Sequence, residues 1–235
     1  MNGKLCVFDF DGTLSSGFIS MGFMDYLHEA GIYSDEYYAS QKHIFDQYKK
    51  NAMAYDVWCD EWGKLWTGAF MGKPISEVRS AAKTFFNSFR KNIYASSYDL
   101  VKLVKSFGYA PILVSVGSYE AISLAAEALG IERIYATRLE VADGICTGRA
   151  AMNLYIAGEK GRVIDRLSKE FSLTESIGFG DSISDVEILD KMDMKIALNP
   201  SKELRAYAEE HDYMVASYSD VLDKISARLG KKLKI

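Results

Sequence analysis

The sequence predicts an α/β protein: a doubly wound, largely parallel sheet with a block of helices inserted after its first strand. Three observations predict it. Short apolar runs alternate with amphipathic helical patterns of about ten residues, as strand–helix–strand units require. Residues 15–94 break that alternation with helical periodicity and no convincing strand. The same stretch holds 17 of the 30 aromatic residues, all three tryptophans among them.

The elements follow in chain order. Leu5–Phe10 reads as a buried strand, an apolar run with no helical period. The inserted block comes next. In it Tyr55, Trp58, Trp62, Trp66 and Phe70 recur at spacings of three, four and four, which puts them on one helix face. Packing of a small four-helix unit explains that face better than contact with a ligand. Tyr98–Phe107 carries Leu100, Val101, Val104 and Phe107 on one side, and Gly108 stops it. Pro111–Ser115 is the second strand. Tyr119–Leu129 is a helix with Ser118 as its N-cap and Gly130 as its C′ residue, the preferred residue types at those positions. Arg133–Thr137 is a strand, and residues 139–149 read as a β-hairpin turning at Asp143-Gly144, a strong two-residue turn signal. Gly161–Phe171 is helical. Ser176–Gly180 is a strand, followed by a helix through Met192 that a capping box, Ser184 to Glu187, would open. Met194–Leu198 and Tyr213–Ala216 complete the strands. The result is a Rossmann-like core of residues 1–14 and 95–235, with a helical domain at 15–94.

Composition excludes several classes. The 235 residues are 49% apolar and 26% charged, the balance of a globular protein. A net charge of −4 offers no electrostatic footprint for nucleic acid. The one basic cluster, Lys231, Lys232 and Lys234, reads as a solvated tail. Cys6, Cys59 and Cys146 are odd in number and lack zinc-like spacing, which suits a reduced, cytoplasmic protein. The first residues do not resemble a signal peptide, and no apolar run approaches the ~18 residues of a membrane span. The expectation is a protein with neither membrane nor nucleic-acid partner. His28, His43 and His211 stand in unrelated contexts and take no catalytic role.

In an open parallel sheet, ligands bind beyond the C-terminal ends of the strands. The first strand delivers Asp9-Phe10-Asp11-Gly12-Thr13 there. Asp9 and Asp11 share a face about 7 Å apart, and Gly12 frees the backbone to turn. Two such carboxylates are costly without a cation or a shared proton. The second strand delivers the Ser115 hydroxyl and the amides of Val116 and Gly117 just before a helix, a place suited to an anion. Lys160, at the start of a helix, opposes its macrodipole and could bring positive charge to a phosphate. Asp181 closes the Ser176–Gly180 strand, and Asp185 lies in the first turn that follows. Three acids and one lysine at strand ends describe a Mg²⁺ site holding a phosphate.

DFDGT at 9–13, Ser115 after an apolar strand, Lys160, and GDSISD at 180–185 resemble, in order and spacing, the four motifs of the haloacid dehalogenase-like phosphohydrolase superfamily. The stretch YEAISLAAEALGIERIYATRLEVADGICTG and the helical insert are similar to its phosphoserine phosphatase-like subfamily. The resemblance implies roles. Asp9 would be the nucleophile that forms an aspartyl-phosphate, and Asp11 the general acid and then base, its pKa raised to suit. Gly12, Ser115, Val116, Gly117 and Lys160 would hold the phosphoryl group. Asp9, the Asp11 carbonyl and Asp181 would bind Mg²⁺, with Thr13 and Asp185 in support. The insert would be a cap that excludes water. Asp11 also argues against dehalogenation, which needs no acid/base partner. Departures bear on the substrate. Phe18 stands where a phosphoserine phosphatase has a Glu for the substrate amine, Val116 where it has Gly, and Ser184 where Asn is common. The substrate expected is therefore a small phosphomonoester other than phosphoserine. Transfer to an alcohol acceptor, a receiver-like signalling domain and a non-catalytic phosphate-binding protein are the alternatives.

Overall fold

The computed structural model describes residues 3–232. The cluster Lys231, Lys232 and Lys234 lies outside the described side chains. Among the described residues one seven-stranded sheet has the order β4-β3-β2-β1-β5-β6-β7. Its strands are β1 (Gly3–Phe8), β2 (Tyr109–Ser118), β3 (Arg133–Ala142), β4 (Ile145–Met152), β5 (Phe171–Gly180), β6 (Met194–Leu198) and β7 (Met214–Ala216). Every pairing is parallel except β3 with β4. The order reverses at β1, which lies between β2 and β5, and that is the switch point where open sheets place their ligands.

Helices cover both faces. Cys6 and Phe8 of β1 point to one face, with α5 (Ala95–Ser106), α6 (Tyr119–Leu129) and α10 (Val221–Lys232). Leu5 and Val7 point to the other, against α7 (Glu159–Leu167) and α8 (Val186–Leu189). Side chains that alternate between two buried faces explain why β1 reads as an unbroken apolar run. A further helix, α9 (Lys202–Glu210), packs Leu204 and Ala208 on Ala197 of β6.

The inserted residues form α1 (Ile19–Glu29), α2 (Asp35–Lys49), α3 (Tyr55–Gly68) and α4 (Ile75–Phe89). They share one continuous apolar cluster with the sheet: Phe10 and Leu14 pack together with Phe23, Trp66 and Phe89. Backbone bonds fasten the α3–α4 loop to the β3–β4 hairpin. Gly72 N–H donates to Cys146 O at 2.9 Å, Cys146 N–H to Lys73 O at 2.9 Å, and Ile75 N–H to Gly144 O at 2.9 Å. The hairpin turns at Asp143 (φ 50°) and Gly144 (φ 80°), two positive angles as a type I′ turn requires.

Several boundaries differ from the sequence reading. β1 stops at Phe8 because the Phe10 carbonyl is taken by the amides of Thr13, Leu14 and Ser15, which turns the chain. The helix expected to reach Phe171 ends at Leu167, and Phe171 instead opens β5, which shifts register against β1 between Lys4 and Leu5. The helix expected through Met192 is a 3₁₀ turn, Ile183–Asp185, and then the short α8. Its capping box is Ser182 with Asp185, not Ser184 with Glu187. Ser118 does occupy the N-cap of α6, but its hydroxyl donates to Glu120 Oε2 at 3.0 Å. The three cysteines are free and buried, and no helix among the described residues is long and apolar enough to cross a membrane.

Candidate active site

The site stands at the C-terminal ends of β1, β2 and β5. Asp9 follows β1 directly and is held by its amide, which donates to Phe179 O at 3.0 Å. Its buried carboxylate faces Lys160, whose Nζ donates to Asp9 Oδ1 at 2.9 Å and to Asp185 Oδ1 at 2.8 Å. Asp185 is fully buried. Its Oδ2 also accepts from the amides of Asp181 and Ser182 at 3.1 and 3.0 Å and from the Ser182 hydroxyl at 3.1 Å. Four donors nearly fill the lone pairs of one carboxylate, so Asp185 anchors Lys160 and the turn. One carboxylate oxygen from each of Asp9, Asp181 and Asp185 lies within 4.8 Å of the others.

Lys160 is placed by a contact far away in sequence. Gly158, at φ 82°, is the N-cap of α7 and has no side chain to cap it. Glu187 supplies the cap: its carboxylate accepts from Gly158 N–H at 2.8 Å and Gly161 N–H at 3.3 Å, satisfying amides a helix start leaves open.

Gly12 shows why this loop needs glycine. Its φ is +84°, and a Cβ there would lie 2.1 Å from Asp181 Oδ2. Thr13 Oγ1 donates to Asp181 Oδ1 at 3.1 Å, and the Tyr218 hydroxyl donates to the Gly12 carbonyl. The Ser115 hydroxyl accepts from Gly117 N–H at 3.0 Å, which fixes the hydroxyl and leaves its proton for another acceptor. The Gly117 amide is therefore committed, and the residue packs between Ile122 and Ile19.

Burial raises all three acids that line the site. Burial, with a smaller contribution from Asp9, pushes Asp11 up to about 8, although Ile19 N–H donates to its Oδ1 at 2.8 Å and opposes the shift. Burial and Asp185 push Asp181 up to about 7. Burial and Asp185 also raise Asp9, against the pull of Lys160. For Lys160 burial works against the charge, but Asp185 and Asp9 outweigh it and its pKa is raised. One ammonium thus faces several buried carboxylates, and the surplus of hard oxygen donors is what a divalent cation such as Mg²⁺ fits.

A cavity of about 310 Å³ opens above these groups and is lined by Asp9, Asp11, Ser115, Val116, Lys160 and Asp181. Gly12, Thr13, Gly117 and Asp185, also singled out in the sequence, support it from outside. Reading the sequence missed Glu187, Tyr218 and Ser20, whose hydroxyl accepts from Ser118 N–H at 3.1 Å. None of the histidines lines the cavity.

The family model of haloacid dehalogenase-like hydrolases matches residues 6–190. The chain belongs to this family. Among curated relatives it is 28% identical over 155 residues to a probable phosphatase of Mycobacterium tuberculosis, covering 65% of this chain but only 54% of that protein. The chain thus spans about half the length of this relative. To a phosphoserine phosphatase of Methanocaldococcus jannaschii it is 25% identical over 208 residues, 88% of this chain and 90% of the relative. A solved structure of a Bordetella pertussis protein of unknown function has a TM-score of 0.80 at 22% identity, over 93% of this chain and all of the other, a likeness of fold.

Proposed function

We propose that the chain is a Mg²⁺-dependent phosphatase that hydrolyses a small phosphomonoester through an aspartyl-phosphate on Asp9. The observation that carries this reading is the pairing of two acids two residues apart, of which one is ion-paired to a lysine and the other is not. The Asp9 carboxylate is gripped by Lys160 at 2.9 Å, whereas Asp11 is held near pKa 8 and keeps its proton at neutral pH.

The steps then follow from the residues. An Asp9 oxygen attacks phosphorus, and the bond from phosphorus to the leaving oxygen breaks as Asp11 gives that oxygen its proton. Asp11, now a carboxylate, takes a proton from water as the water oxygen attacks phosphorus. The bond to Asp9 breaks, releasing phosphate and regenerating both acids. Lys160 and the Ser115 hydroxyl hold phosphoryl oxygens, with the Val116 backbone beside them. Asp9, Asp181 and the Asp11 carbonyl would hold Mg²⁺, which would supply neutralising charge for the phosphoryl group. Asp185 orients Lys160, and Thr13 orients Asp181. Residues 15–94 serve as the cap over a core of 1–14 and 95–235. Relatives named phosphoserine phosphatase support the reaction class. The leaving group is argued away from phosphoserine by Phe18, which stands at the cavity mouth where those enzymes carry a Glu.

The test is direct. Asp9→Asn should abolish phosphate release from 4-nitrophenyl phosphate with Mg²⁺, and EDTA should silence the unaltered protein until Mg²⁺ is restored. Turnover surviving either treatment overturns the mechanism.

A further inference from the structure

The same cavity is aromatic as well as acidic. Phe45, Tyr48, Tyr55, Trp58 and Trp62 line it, together with Tyr155. Tyr48 and Trp58 stack at 4.8 Å and 15°, while Trp58 lies 5.8 Å from Tyr55 and 5.6 Å from Trp62. The rings therefore form a continuous wall.

Charge distinguishes what that wall takes. Asp9, Asp11 and Asp181 are the only carboxylates among the described lining residues, and all three belong to the phosphoryl end. Beside the aromatic wall stands Lys49, whose Nζ is 5.1 Å from the Phe45 ring centroid. A cationic leaving group would find a cation already over that ring and no carboxylate to pair with. Aromatic walls also bind cations, but here that position is filled by the protein's own lysine. The cavity volume of about 310 Å³ equals roughly ten waters at ~30 Å³ each, more than a phosphoryl group with a three-carbon alcohol fills.

The geometry points to a leaving group that is a planar aromatic alcohol, stacked on the Tyr48–Trp58 wall. This inference rests on the phosphatase reading and narrows its substrate class. Trp58 is the specificity-determining residue.

The test compares benzyl and 4-pyridylmethyl phosphate with butyl phosphate, O-phosphoserine and phosphocholine, all esters of aliphatic alcohols, so that leaving-group acidity does not mimic recognition. With Mg²⁺, kcat/KM for the two ring esters should exceed that for butyl phosphate at least tenfold. Trp58→Ala should bring the ratio near one, and Trp58→Phe should keep most of it. Binding supplies an independent readout. Titrating the Asp9→Asn protein with benzylphosphonate and butylphosphonate, followed by tryptophan fluorescence, should give at least tenfold tighter binding of the ring compound. Equal or better use of butyl phosphate, phosphoserine or phosphocholine overturns the inference, as does equal binding of the two phosphonates. Preferential ring binding without phosphate release from any ester would leave this inference standing and sink the phosphatase reading instead.

Discussion

Gly12 tolerates no side chain, and the reason is a neighbour 169 positions away. At φ +84° a Cβ would meet Asp181 Oδ2 at 2.1 Å, so the strain of a left-handed backbone, ~1–2 kcal/mol, adds to a displaced carboxylate. Gly12→Ala should weaken Mg²⁺ binding at least tenfold while lowering the urea midpoint only modestly, as metal titration and denaturation would report. On the proposed mechanism Asp11 sets the pH profile. With its pKa near 8, the protonated acid needed to release the leaving oxygen predominates below that value. Turnover of an alkyl phosphate should therefore fall about tenfold per unit once pH passes about 8. Asp11→Asn should slow alkyl esters by 10²-fold or more; with 4-nitrophenyl phosphate, whose leaving group needs no proton, a first burst of phenolate should survive while steady turnover falls. Asp9, Asp11 and Asp181 were legible because acids at strand ends carry their own spacing and cost. Tyr218 was not, since its contact with Gly12 spans 206 residues and leaves no local pattern.

Among elements, α7 shows what sequence patterns miss. The apolar spacing of Val163, Ile164 and Leu167 reveals the helix, but not that its first turn is capped by Glu187 from across the site. The same Glu187, read locally, looked like half of a capping box with Ser184. Asp185 wins that role because Gly180, where a Cβ would be 2.5 Å from Asp185 Cβ, lets the turn fold back tightly. Glu187→Ala should cost ~1 kcal/mol, as a lost helix cap does, seen in the thermal midpoint. Because Lys160 stands at the second position of that helix, kcat should fall more than KM rises, whereas a purely structural role would leave both unchanged. The hairpin at Asp143-Gly144 was readable from two residues. The ends of β5 were not, because Thr174 and Glu175, both exposed, interrupt the apolar run at its register shift.

At the scale of the molecule, buried acids link stability to pH and metal. Asp11 near 8 and Asp181 near 7 keep protons in the folded state that the unfolded chain releases near pH 4. Without metal, this contribution is fully present below about pH 4, falls as pH rises and is lost once pH has passed about 7 to 8. Mg²⁺ needs ionised carboxylates, so it should raise the thermal midpoint more at pH 8 than at pH 6, a comparison that thermal scans with and without the ion would make. A smaller effect at pH 8 would remove the acids from the metal site. The overall architecture was readable because strand and helix periods differ, and the aromatic excess of 15–94 marked the insert. Its fusion with the sheet into one apolar cluster was not, since periodicity reveals which face is apolar but not what covers it.

That fusion limits how such a scaffold can be re-engineered. Phe10 and Leu14 pack among Phe23, Trp66 and Phe89, and the 72–75 loop is stitched to the hairpin by three backbone bonds. Excising the helical block would strand those bonds and leave a bare greasy surface prone to aggregation. Transplanting a foreign block to change substrate choice would succeed only if the donor brought its own underside, including the counterparts of Phe10, Leu14 and the hairpin tip. A chimera would therefore have to carry the block and its apolar underside across in one piece.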